Sequence, residues 1–206
     1  MNTLDYDGLR KALSRDPALA NAGLPYDENN KTLAHPLHRI CDGVFSGTYT
    51  DEQGVELAEL FLEHGAHVDG FGLVEGEDTP LIAAASLHAE KVGMLYIDRG
   101  ADILHVGGNG STALHWAAWT GRDKLVDHLI SAGAEIHRKD THYKSTPLLW
   151  AVHGYKFGGG KNSYHQVECV RLLLKAGADK NTFNAEGTPI VAFLDEEDVE
   201  LSALLG

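Results

Sequence analysis

Four short phrases, most opening Thr-Pro, recur in the same wording along the chain: Thr79-Pro80-Leu81-Ile82, Thr112-Ala113-Leu114-His115, Thr146-Pro147-Leu148-Leu149 and Thr188-Pro189-Ile190-Val191. Four Gly-Ala pairs answer them: Gly65-Ala66, Gly100-Ala101, Gly133-Ala134 and Gly177-Ala178. The first three threonines are 33 and 34 residues apart. A threonine hydroxyl can accept the free N–H groups at a helix start. Proline one place on lacks a donor that the first turn does not use. Between Thr112 and Gly133, the residues Leu125, Val126, Leu129 and Ile130 recur at helical spacing and form a broad apolar stripe. Glycine then supplies the left-handed residue that ends the helix. Each unit therefore reads as two short helices and a tight turn. Such a pair cannot bury its stripe alone, so the units must stack.

The wording and the period resemble the ankyrin repeat, over roughly residues 30–194. The resemblance implies an all-α fold, an ankyrin-repeat solenoid of stacked helix-turn-helix units with hairpin-like connecting loops. An N-terminal helical cap is expected over 1–30. Repeats follow at about 31–69, 70–103, 104–138, 139–181 and 182–194, and a C-terminal capping helix over 195–206. Within the first cap a helix is predicted near 7–14, and Pro17 starts a second short one. The first repeat departs from the family wording, with His35 where threonine is usual, and its second helix is expected at 55–64. A helix is expected from Thr188 in the fifth repeat. The closing helix, over 195–205, has Val199, Leu201, Leu204 and Leu205 as its apolar face.

Two stretches exceed the repeat length, at about 42–53 and 154–166, both between first and second helix. They are expected as exposed loops on one edge of the solenoid. The second carries Tyr155, Phe157 and Tyr164. A polar turn is expected over 23–31.

The formal net charge is −13. Such a surface repels nucleic acid and anionic lipid and suits a basic protein partner. The chain shows no apolar run of about 18 residues, so no membrane span is expected. Nor does Met1 to Asp5 open a secretory signal. Cys41 and Cys169 belong to distant units that a linear stack keeps apart, which fits a reducing, cytoplasmic home and a monomer.

Chemical motifs are weak. The Gly158-Gly159-Gly160-Lys161 run fails as a phosphate loop, with Asn162 where Ser or Thr should bind magnesium and Tyr155 where the first glycine should be. The chain has 12 histidines, and the pairs His35/His38 and His64/His67 have chelating spacing without further ligands. His38 and His115 stand at the histidine position that the family uses to brace neighbouring hairpins. No nucleophile elbow is present. No catalytic residue, cofactor or metal is therefore expected.

What the resemblance implies instead is a protein-binding surface on the hairpin tips and the open face of the first helices. Carried over by register, the tips offer Glu77, Asp78, Asn109, Ser111, His142, Tyr143 and Ser145. The first helices offer Ser86, Trp119, Thr120 and His153, and the second long stretch adds Tyr155 and Phe157. Trp116 and Trp150 occupy equivalent places in successive repeats and read as core. Trp119, Tyr143 and His153 are expected to form one aromatic patch ringed by acids. The expected function is a non-catalytic protein-interaction scaffold. Its alternative is an acidic immunity or inhibitor protein covering a basic effector such as a nuclease toxin. A metal-dependent or hydrolytic enzyme is the contrasting class.

Overall fold

The computed structural model describes residues 4–25, 33–158 and 165–206. The readings placed on residues 1–3, on most of the polar turn and on residues 159–164, with Lys161 and Tyr164, lie outside the described residues. The described chain enters through helix α1 (Tyr6–Arg15), whose Gly8 N–H is capped by the Asp5 carboxylate at 2.8 Å. Pro17 then opens a 3-10 turn, Pro17–Asn21. Two short strands, β1 (Leu24–Pro25) and β2 (Leu33–Ala34), pair antiparallel.

Four helix pairs follow. They are α2 (Pro36–Phe45) with α3 (Asp51–Glu63), α4 (Pro80–Ser86) with α5 (Glu90–Asp98), α6 (Ala113–Thr120) with α7 (Asp123–Ser131), and α8 (Pro147–Phe157) with α9 (Gln166–Lys175). A 3-10 turn, Ile190–Phe193, and helix α10 (Val199–Leu205) close the chain. First helices pack on first helices, in the row α2, α4, α6, α8. Second helices form a parallel row, α3, α5, α7, α9. This is the all-α solenoid that the periodicity predicts.

One core runs the length of the stack, with Leu37, Leu81, Leu114 and Leu148 fully buried at equivalent positions. Each such burial is worth about 1.5–3 kcal/mol. At the N-terminal end Leu13 and Ala20 close over Leu60. The helix starts behave as their residues dictate. Thr79 and Thr146 each accept an N–H two residues past the following proline, from Ile82 and Leu149, at 3.4 Å. His35 does the threonine's work differently: its Nδ1 accepts the Leu37 N–H at 3.2 Å, and its Nε2 donates to Asn21 at 3.1 Å. At the helix ends Gly65, Gly100, Gly133 and Gly177 all hold positive φ, between 86° and 98°. The next N–H in each case bonds back five residues, as in Ala134 to Leu129 at 3.0 Å.

Carboxylates and hydroxyls tie one unit to the next. Asp51 accepts the Lys91 and Val92 N–H groups, at 2.7 and 3.2 Å, and so caps α5 from the preceding repeat. Asp69 does the same for the Asp102 N–H at 2.9 Å. The tightest approach is between α6 and α8, where a Cβ on Gly154 would lie 2.1 Å from the Trp119 carbonyl oxygen.

Several boundaries differ from expectation. Most of the supposed insertion at 42–53 is helix: α2 runs on to Phe45 and α3 starts at Asp51, leaving only 46–50 as a turn. The reason is a capping box at Thr50, whose hydroxyl takes the Gln53 N–H while the Gln53 side chain takes the Thr50 N–H. In the second long stretch α8 likewise continues through Phe157. The helix expected from Thr188 is a 3-10 turn, because Pro189 is extended and pairs across to Phe183 in a β-bridge. The closing helix starts at Val199 rather than 195.

Candidate functional site

Three tips and two helices build an aromatic cavity at the third and fourth units. The tip at 140–145 is organised by one buried carboxylate, Asp140, only 1% exposed. Its Oδ1 accepts the His142 and Tyr143 N–H groups at 2.9 and 2.5 Å. Its Oδ2 accepts the Ser145 N–H at 2.9 Å and the Trp150 indole N–H at 3.0 Å. An acid in this place closes the tip and aims the tryptophan of the following helix. The preceding tip turns on Asn109, which takes a left-handed conformation with φ of 61°. Its carbonyl accepts from the Thr141 and His142 N–H groups at 3.1 and 3.3 Å, which locks tip to tip. The Tyr143 carbonyl accepts the Ala185 N–H at 2.8 Å and so holds the next tip in turn.

Helices α6 and α8 supply the walls. Trp116 and Trp119 lie one turn apart on α6, and Trp150 and His153 one turn apart on α8. Trp150 is the hub. Its ring meets Trp116 edge-on at 5.1 Å, Trp119 at 5.9 Å, Tyr143 at 6.1 Å and His115 at 5.4 Å. His153 meets Trp119 at 6.5 Å and Phe157 at 5.5 Å. These rings enclose a cavity of about 360 Å³, with Asn109, Ser145, Asn184 and Glu186 completing its lining. Two buried nitrogens of its wall, Trp116 Nε1 and His153 Nε2, have no hydrogen-bond partner among the described residues. Burial lowers the His153 pKa, against the pull of Glu186.

Beneath the cavity, His115 braces the stack. Its Nδ1 accepts the Thr112 N–H at 3.1 Å, so the opposite nitrogen carries the hydrogen and donates to the Arg138 carbonyl at 3.2 Å. Burial holds its pKa down at about 4.

A family model described as Ankyrin repeats (3 copies) matches residues 50–140 and 104–184. The chain belongs to the ankyrin repeat family. Three ankyrin-matching relatives are named as transferases. Palmitoyltransferase ZDHHC13 of Mus musculus is 30% identical over 145 residues, covering 60% of this chain and 22% of the relative. Palmitoyltransferase ZDHHC17 of Danio rerio is 32% identical over 95 residues, covering 46% and 14%. Palmitoyltransferase AKR1 of Kluyveromyces lactis is 40% identical over 76 residues, covering 37% and 9%. The chain thus spans less than a quarter of the length of these relatives.

On this ankyrin stack, Trp119, Tyr143 and His153 do converge on one cavity, and Asn109 lines it with them. His142 is exposed beside Tyr143, and Phe157 is 64% exposed against the far side of His153. Glu77 and Asp78 lie elsewhere, on a second cavity of about 390 Å³ with His35, His38, Asp69 and Phe71. The expectation for Ser111 is corrected: it is fully buried, and its hydroxyl donates to the Gly108 carbonyl at 2.8 Å. Ser145 is buried too, with its N–H on Asp140. Thr120 faces inward, donating to the Ala85 carbonyl of the neighbouring unit at 2.9 Å. Tyr155 sits on helix α8, half-buried against the core rather than in a loop.

Sequence reasoning missed Trp116 and Trp150 as cavity walls, and missed Asp140, Asn184 and Glu186 altogether. A signal for Asp140 was present. An aspartate just ahead of a polar tip can take the N–H groups two and three residues on.

Proposed function

We propose that the protein is a non-catalytic scaffold that docks another protein on the aromatic cavity and the tips around it. One observation carries this reading: three tryptophans, a tyrosine and a histidine surround an open cavity among the repeat tips. A monomer's core would close over such surface, whereas aromatic anchors in pockets dominate protein-binding energy. The tips are already locked by Asp140 and by tip-to-tip bonds, so little ordering entropy is lost on association. The transferase chemistry named for the relatives is not proposed for this chain, given the small share of each that it matches.

Among the described residues no group of three or more His, Cys, Asp or Glu is arranged to hold a metal. Both cysteines are free and buried, with thiol pKa values pushed up by burial, the opposite of an activated nucleophile. Free cysteines also fit a reducing compartment such as the cytoplasm. No helix among the described residues is long and apolar enough to cross a membrane.

The net charge of −13 favours a second version, an inhibitor covering a basic effector. Affinity capture followed by salt titration separates the two. Docking through the aromatic cavity predicts weak salt dependence and loss of binding in Trp119→Ala and Tyr143→Ala. Steep salt dependence with both variants binding normally supports the inhibitor instead, and overturns the cavity reading.

A further inference from the structure

Resting on the docking reading above, we propose that the aromatic cavity is a cage for a methylated lysine side chain of the partner protein. The rings around Trp150 stand nearly perpendicular to it, at 79° for Trp116, 72° for Trp119 and 71° for Tyr143. Perpendicular rings make corners, so an occupant meets several ring faces and edges instead of one flat stack. A cation over indole and phenol faces is attracted by the ring quadrupole, most strongly where water is excluded.

Charge points the same way. Trp150 donates its indole N–H to the buried Asp140 carboxylate at 3.0 Å, which places a full negative charge behind the central ring. Glu186 adds a carboxylate to the lining, and no lysine or arginine among the described residues lines the cavity. The chain as a whole carries −13. Size limits the guest as well. A volume of about 360 Å³ lies at the small end of ligand sites, which run from about 300 to 1,000 Å³. It admits the end of one long side chain and not a helix or strand.

The state of the ammonium follows from the donors it carries. An unmodified lysine brings three N–H donors that each need an acceptor. Three indole walls offer none, and Glu186 is the one charged acceptor among the lining residues. Methyl groups remove donors and lower the cost of leaving water. The guest comes on a protein because the cavity lies among the repeat tips, which the docking reading gives to a protein partner.

The chain's 3 tryptophans are Trp116, Trp119 and Trp150, so selectively excited tryptophan fluorescence reports on the cavity. The test titrates the full chain with Nα-acetyl-trimethyllysine methylamide, with its unmodified lysine counterpart, and with the neutral isostere carrying carbon in place of the quaternary nitrogen. Saturable tryptophan quenching is expected for the methylated cation, with binding about tenfold weaker for the other two. Tyr143→Leu, at a half-exposed position that leaves the core intact, is expected to weaken the methylated ligand about tenfold with circular dichroism unchanged. Equal binding of the neutral isostere, or no saturable change with the methylated cation, overturns the proposal. Choline chloride binding more tightly than the lysine derivative overturns the protein source. Partner capture that Trp119→Ala abolishes, but that excess acetyl-trimethyllysine methylamide does not inhibit in the unsubstituted chain, leaves the docking reading standing and removes the cage. Lysine-derivative binding alongside normal capture in Trp119→Ala does the reverse.

Discussion

Two cavities occupy comparable places in the stack, beneath neighbouring tips and beside the first helices, and are nearly the same size, about 390 and 360 Å³. Their linings differ completely. The one at the first and second units is built from His35, His38, Asp69, Glu77 and Asp78 with glycines of the long tip. The other is built from indoles and a phenol. Their tips differ as well. Residues 140–145 are tied by three bonds to Asp140, and Trp150 on α8 makes a fourth. The tip at 69–78 turns on Gly70, Gly72 and Gly76, all with positive φ, and leaves Phe71, Leu73 and Val74 exposed. A repeat array thus offers the same hollow more than once, and a few side chains decide what each hollow can hold.

Acid is expected to strain both regions most. His35 beside the first cavity and His115 beneath the second are each held at a pKa of about 4, chiefly by burial. An open-chain imidazole titrates near 6.5. Below that pH the unfolded chain takes up protons that the folded chain refuses. Stability is therefore full above about pH 6.5 and falls as pH drops toward 4. From pH 7 to pH 5 the loss is about 2 kcal/mol for each histidine. Urea denaturation at the two pH values checks this. His35→Asn and His115→Gln, which keep a capping side chain, should each reduce the pH dependence, with the rest left to His38, His88 and His153, whose pKa values burial also lowers.

Gly154→Ala is the next largest effect and falls on one region alone. Its Cβ would strike the Trp119 backbone, so α8 must shift on α6, at a cost of about 3 kcal/mol. Thermal melting and a change in tryptophan fluorescence should appear together. Asp140→Ala leaves three backbone donors and the Trp150 indole unpaired, and should cost about 2–3 kcal/mol. The same measurements apply, and an unchanged emission spectrum would show that Asp140 does not aim the ring.

On partner affinity the two regions should part company. Trp119→Ala is expected to cost about 2 kcal/mol of binding. Phe71→Ala, exposed on the glycine-rich tip, should stay within about 0.5 kcal/mol. Equal losses by titration calorimetry would mean that both cavities face the partner.

Much of the stack was legible because its signals are local. A cap, a proline, an apolar stripe and a terminal glycine lie within one unit, and each acts through its nearest backbone. The ends were less legible. His35 caps like threonine only because Asn21 holds its other nitrogen. Thr188 starts no α-helix, because Pro189 is used in a bridge to Phe183 instead.

By itself the sequence determined the repeat, its period and the choice of helix over strand, since those follow from spacing and from chemistry between near neighbours. Tertiary structure alone decided which polar and aromatic groups stay open. Thr120 and Ser111 turn inward because carbonyls wait for them, Ala85 in the adjoining repeat and Gly108 in the tip just ahead. Trp116 and Trp150 stack between successive repeats as their spacing predicts, and they also line a cavity because Asp140 pulls one indole toward a tip and Gly154 lets α8 approach α6. Those contacts join residues from different turns and different repeats, and no periodicity along the chain encodes them.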